Sequence, residues 1–107
     1  MTNYEKLQQL LNDENLQKTL TDHLLCSKVK LNLHEEDNGR YLLNLHVIES
    51  IGDEDVLIYI ESFAIQLNDR NSLLFFGILL DEVVSPRQAL EIAKTGQIIE
   101  DHLNAFL

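Results

Sequence analysis

Four histidines, one cysteine and two runs of carboxylates are the residues of this 107-residue chain whose types could do chemistry. His34 and His46 fall in two segments that read as the strands of a hairpin. They share its solvent face but stand at opposite ends, so they cannot chelate one metal. His23 and His102 belong to different helical segments, with no H-x-x-x-H or H-x-x-E spacing. Cys26 sits beside Ser27 and Lys28. A lysine neighbour can lower a thiol pKa, but a nucleophile also needs a positioned base, so Cys26 reads as a small apolar filler. A lone cysteine also excludes an internal disulfide, a CxxC redox pair and a zinc knuckle. Glu35-Glu36-Asp37 and Gly52-Asp53-Glu54-Asp55 resemble calcium loops only in charge, because neither has the D-x-[DN]-x-[DN]-G frame or a glutamate at position twelve. They read as solvated hairpin tips. No phosphate-cradling glycine loop and no G-x-S-x-G elbow occurs. The expectation is a protein that is not an enzyme, with no catalytic residue, metal or cofactor.

Charge narrows the partner. Eighteen acidic residues against eight basic ones give a net charge of −10. That field repels nucleic acid and anionic membrane, both of which are bound by neutralising phosphates with cations. The aromatics Tyr4, Tyr41, Tyr59, Phe63, Phe75, Phe76 and Phe106 fall at core spacing rather than as a stacking platform for bases. A protein partner is therefore expected. The start, Met1-Thr2-Asn3-Tyr4-Glu5, has neither a basic nor an apolar leader region. The longest apolar run, Leu73 to Leu80, is far shorter than the roughly 20 residues a membrane helix needs. A soluble cytoplasmic protein is the expectation.

The elements that must position these side chains follow from periodicity. Thr2 and Glu5 form a T-x-x-E capping pair, so a helix is expected to start there. Tyr4, Leu7 and Leu11 share one helical face, whereas Leu16, Leu20 and Leu24 lie about 150° away. Asn12-Asp13-Glu14-Asn15 between them is rich in N-cap residues. The reading is two short helices, 3–11 and 15–25, or one helix with a marked change of direction. The pattern then alternates. Lys28 to His34 and Arg40 to Val47 read as half-buried strands around a turn containing Asn38-Gly39. The expected pairing sets Leu33 opposite Tyr41 and Leu31 opposite Leu43. Val56 to Ile60 and Ser72 to Leu80 are apolar on both faces, with a turn at Asn68 to Asn71. For Glu61-Ser62 a bulge and the start of a helical turn both remain open.

Ser85-Pro86-Arg87-Gln88 combines an N-cap serine, proline at the first helical position and glutamine at the third. A closing helix is expected from there, with Ala89, Ile92, Ala93, Gly96, Ile99, Leu103 and Phe106 as its inner stripe. Gly96 is expected close against the third and fourth strands, while Leu90 and Ile98 lie off the stripe, free to touch a second body. The chain thus reads as a single α+β domain, residues 1–107. It comprises one or two N-terminal helices, a four-stranded antiparallel β meander and a C-terminal amphipathic helix.

The strand pattern also points to a surface. Leu57, Tyr59, Phe63 and Ile65, with alternate residues of 73–80, would line a second sheet face. That face is either an interface or covered by a helix. With Leu90 and Ile98, these are the candidate protein-binding residues, and a two-fold homodimer is expected. The leading helix, the hairpin Leu31-Asn32-Leu33 to Tyr41-Leu42-Leu43-Asn44-Leu45, the acidic charge and the closing helix from Ser85 together resemble the class I chaperones of bacterial type III secretion. The span 66–72 differs from that family in leaving no room for a helix between strands three and four. The resemblance implies a homodimer that binds an extended segment of a secreted effector without catalysis. The alternative is an immunity or inhibitor protein that neutralises a basic toxin or nuclease through its acidic surface.

Overall fold

The computed structural model describes residues 2–37, 39–70, 72–80 and 84–107. In chain order the elements are α1 (Asn3–Leu11), α2 (Glu14–Leu24), β1 (Lys28–Asp37), β2 (Arg40–Ile51), β3 (Glu54–Leu67), β4 (Leu73–Leu79) and α3 (Pro86–Phe106). The strands form one antiparallel sheet in the order β1-β2-β3-β4. The α+β meander expected from the sequence is the observed fold.

Capping chemistry sets the helix ends. The Thr2 hydroxyl accepts the Glu5 backbone N–H at 3.1 Å, and the Asp13 carboxylate accepts that of Leu16 at 3.0 Å. The N-terminal segment is therefore two helices, broken at Asn12-Asp13, so that each leucine stripe meets the sheet. The second ends at Leu24 because Leu25 turns into the left-handed region, with φ 55°. At the other end of the chain, Ser85 and Gln88 exchange both bonds of a capping box around Pro86.

All three helices lie on one face of the sheet. Leu7, Leu11, Leu16, Leu20, Ile99 and Leu103 join Leu43, Leu45, Phe63 and Ile65 in a single buried cluster. The other sheet face, which the sequence leaves as either an interface or covered by a helix, thus has no described helix over it. The first hairpin is shifted by two residues from the expected register: Leu33 faces Leu43, Leu31 faces Leu45, and Tyr41 faces Glu35. The reason is that β1 runs on through the acidic residues to Asp37, with an irregularity between Glu35 and Asp37. A shift of two preserves parity, so every side chain keeps its expected face. Asn38 of that turn and Asn71 of the next lie outside the described residues.

β3 is one continuous strand, and Glu61 and Ser62 are ordinary ladder residues opposite Leu45 and Asn44. Ser62 donates its hydroxyl to the Asn44 carboxamide at 2.7 Å on the uncovered face. Between β3 and β4 the Asn68 side chain accepts the backbone N–H groups of Arg70 and Ser72, closing a turn with no intervening helix.

Along α3 the buried line is Thr95, Gly96, Ile99 and Leu103, with Ile92 partly buried beside it. Ala93 and Phe106, expected on that line, are exposed. The inner face is therefore rotated toward Thr95, whose hydroxyl bonds the Glu91 carbonyl. A methyl group built on Gly96 would stand 3.2 Å from Phe63 Cε1 and 3.4 Å from Phe76 Cε1. The glycine lets the helix approach β3 and β4, as its place in the pattern suggests.

Candidate functional site

The strands differ in length, and the difference makes an arm. β1 stops at the level of Ile48, and among the described residues β4 pairs with β3 from Ser62 to Leu67. Among the described residues β2 and β3 continue beyond β1 as a two-stranded ribbon over Glu49–Ile51 and Glu54–Val56. From Leu57 to Ile60, β3 has β2, backed by β1, on one side and no described strand on the other. Val56, Leu57, Ile58, Tyr59 and Ile60 are each between 37% and 51% exposed. Five consecutive large apolar residues on a strand with one edge unpaired among the described residues are what soluble monomers normally avoid. The acidic tip, Asp53 to Asp55, blunts the end of this edge. Asp55 pairs there with Lys28, and the hydrogen bonds from Lys28 and Ser50 hold its carboxyl below the usual carboxylate range.

A bulge controls which way the arm presents its side chains. Val47 faces Tyr59 while the next residue, Ile48, faces Leu57, so Ile58 is an extra residue on β3. Parity reverses across it. Tyr59 shares the helix-covered face with Phe63 and Ile65, whereas Leu57 shares the open face with Ile48. The expectation that Leu57, Tyr59, Phe63 and Ile65 line one uncovered face is therefore corrected. Phe63 and Ile65 are core residues, 0% and 1% exposed, because α3 lies over them. Leu90 is exposed, but Ile98 is partly buried against the core. Leu57, Tyr59 and Leu90 remain as surface residues.

Where the arm leaves the sheet, an open groove of about 760 Å³ separates β3 and the end of β4 from the first turns of α3. Tyr59, Leu79, Leu80, Val84 and Ile92 give it apolar walls, and Arg87 and Glu91 stand on the α3 side. Glu61 lies in this groove on the covered face of the sheet, in line with Tyr59 and Phe63. Its Oε2 is buried with no hydrogen-bond partner among the described residues. Burial alone pushes its carboxyl up to about 7. The Tyr59 phenol is raised as well, chiefly by burial and then by the Glu61 charge. Arg87 lines the same groove but forms no ion pair among the described residues, and Glu91 is engaged by Lys94 at 3.6 Å.

The chemistry-bearing residues do not assemble elsewhere. His34 and His46 are on the open face, opposite Leu42 and Lys30, and His46 Nε2 is held by the Asn32 amide at 3.1 Å. His102 donates through Nε2 to the Leu10 carbonyl at 2.7 Å. Cys26 is partly buried, and burial followed by the nearby Glu49 charge raises its thiol pKa, the reverse of activation. Among the described residues no three His, Cys, Asp or Glu side chains gather at metal-binding distance. No described helix is long and apolar enough to cross a membrane. Glu61 and the groove wall formed by Leu79, Leu80, Val84 and Ile92 were not singled out in the sequence. The available signal was parity, since Glu61 alternates in step with Phe63, Ile65 and Leu67. Comparison with known proteins finds no matching family model, no matching curated protein and no matching solved structure.

Proposed function

We propose that this chain is a non-catalytic, cytoplasmic protein-binding module that acts as a small secretion chaperone, holding an extended segment of a partner protein along the β2–β3 arm. The observation that carries this reading is the run Val56 to Ile60, apolar, exposed and bordered by a strand edge with no partner among the described residues, beside an apolar groove. An extended segment suits such a surface, since its backbone can pair with the edge while alternate side chains enter the groove. The open face also carries Phe75, and Leu74 is exposed beside it on β4. That second patch supports a two-fold homodimer with the arm left for the partner. The acid is diffuse: it occupies both hairpin tips, at opposite ends of a β2 about 40 Å long, and all three helices. A toxin inhibitor would concentrate it on one patch.

The test is site-specific photo-crosslinking in the native host, with the reactive residue placed at Tyr59 or, for comparison, at Glu36. Light scattering of the purified protein accompanies it. The expected result is a mass of two chains, with Tyr59 crosslinked to an extended segment of a secreted protein. Capture of a basic toxin or nuclease through Glu36 alone would replace this reading with the inhibitor. A single-chain mass with no crosslink from Tyr59 would end it.

A further inference from the structure

The groove holds a carboxylate where an apolar lining would cost nothing. Glu61 Oε2 is buried and unpartnered among the described residues, between the apolar side chains of Tyr59 and Phe63 on one strand and under the first turns of α3. A buried charge is retained at a cost unless a cation or a donor completes it. The chain's own cations near the arm do not do so: Lys28 is paired with Asp55, Lys94 with Glu91, and Arg87 forms no ion pair among the described residues. A second copy is a poor source, since each chain carries a net charge of −10. Resting on the docking reading above, we propose that the groove accepts a lysine or arginine of an otherwise apolar partner segment, and that this side chain pairs with Glu61. The basic residue would enter a site already shielded from water, where a charge-assisted hydrogen bond is at its strongest. The groove would then fix the register of the bound segment, since only one side chain along it can neutralise Glu61.

The probes are short capped peptides of alternating valine and threonine around one central residue, which is lysine, acetyl-lysine or glutamate. Binding is read by fluorescence anisotropy. Wild-type protein is expected to bind the lysine peptide about tenfold tighter than the acetyl-lysine peptide. Glu61→Gln should bind those two alike, and Glu61→Lys should prefer the glutamate peptide. Circular dichroism confirms that each variant is folded, and Glu61→Gln suffices if the lysine variant is not. Equal binding of the lysine and acetyl-lysine peptides to wild type would overturn this inference while leaving the docking reading intact. Absence of binding by every peptide would overturn both. If Glu61→Gln alters only the mass seen by light scattering, the groove belongs to a second copy and the proposal fails.

Discussion

Val56–Ile60 and Phe63–Leu67 belong to one unbroken strand and are similarly apolar, but the first stretch lies open to solvent while the second carries the core. The difference comes from what reaches them. At Phe63 the strand has β2 on one side, β4 on the other and Gly96 of α3 above it. At Ile58 it has β2 on one side and, among the described residues, nothing on the other, because the described pairing with β4 ends at Ser62. Local hydrophobicity therefore fixes the appetite of a strand for burial, and the lengths of its neighbours decide whether that appetite is met within the chain.

The comparison is broken most forcefully by truncation on each side. Phe63→Ala should cost about 4 kcal/mol, the cavity plus the lost transfer energy of a fully buried ring. Ile58→Ala, measured on dilute protein, should cost less than about 1 kcal/mol. Chemical denaturation decides, and equal costs would mean that the arm is covered in solution. Next is the helix that closes the core. Gly96→Leu should destabilise by about 3 kcal/mol, since its volume meets the Phe63 and Phe76 rings, stacked with centroids 5.4 Å apart. Gly96→Ala should cost about 1 kcal/mol, because the buried Phe63 ring has little room to yield and overpacking outweighs the gain in helix propensity. A rise in the melting temperature of the alanine variant would show that the ring can move.

Glu61 stands at the boundary between the two regions and gives a smaller effect with a definite sign. Its pKa is raised from about 4.5 to about 7 in the fold, so across that window the folded chain binds more protons than the unfolded one. Its contribution to stability is fullest below about pH 4.5 and falls as pH rises through about 7. The groups that face it are Tyr59 on its own strand and Arg87 and Glu91 on α3. Glu61→Gln should flatten this dependence and raise stability at neutral pH by on the order of 1 kcal/mol, after allowance for solvent screening. General repulsion in so acidic a chain acts in the same direction, so the measured quantity is the difference between variant and wild type. The smallest effect separates an exposed leucine that belongs to a patch from one that does not. Leu25 is 89% exposed because it terminates α2 with a positive φ, not because it awaits a partner. Leu25→Gly should gain about 0.5–1 kcal/mol by relieving the left-handed conformation and leave crosslinking from Tyr59 unchanged.

The parts of the fold that were legible are those governed by local rules. Thr2, Asp13, Ser85 and Pro86 announce helix starts by their own hydrogen-bonding chemistry, and alternation in 28–34 and 40–47 gives the correct faces. Register was not legible, because nothing in Glu35-Glu36-Asp37 distinguishes a strand end from a loop. The candidate site was half legible. Leu57, Tyr59 and Leu90 were found from their apolar excess, but Phe63 and Ile65 were grouped with them. A strand buried within its own chain and a strand left bare have the same composition, and the bulge at Ile58 that reverses parity has no glycine to mark it. The end of α2 was hidden for the same reason, since Leu25 occupies a position where a glycine would have been read at once.

The hydrogen bond from His102 to the Leu10 carbonyl joins residues that are 92 apart in sequence, nearly the full length of the chain. Closing so long a loop is entropically slow, whereas the meander between the helices forms from neighbouring strands. The sheet can therefore assemble before α1 is locked against α3. In the finished molecule α1 is held by the buried Leu7 and Leu11, by the partly buried Tyr4 and Leu10, by the Tyr4 hydroxyl on the Leu33 carbonyl at 2.9 Å, and by that one imidazole. An element with so few anchors opens on its own. Amide exchange in α1 is expected to run ahead of global unfolding, so the helix that settles last is also the first to leave.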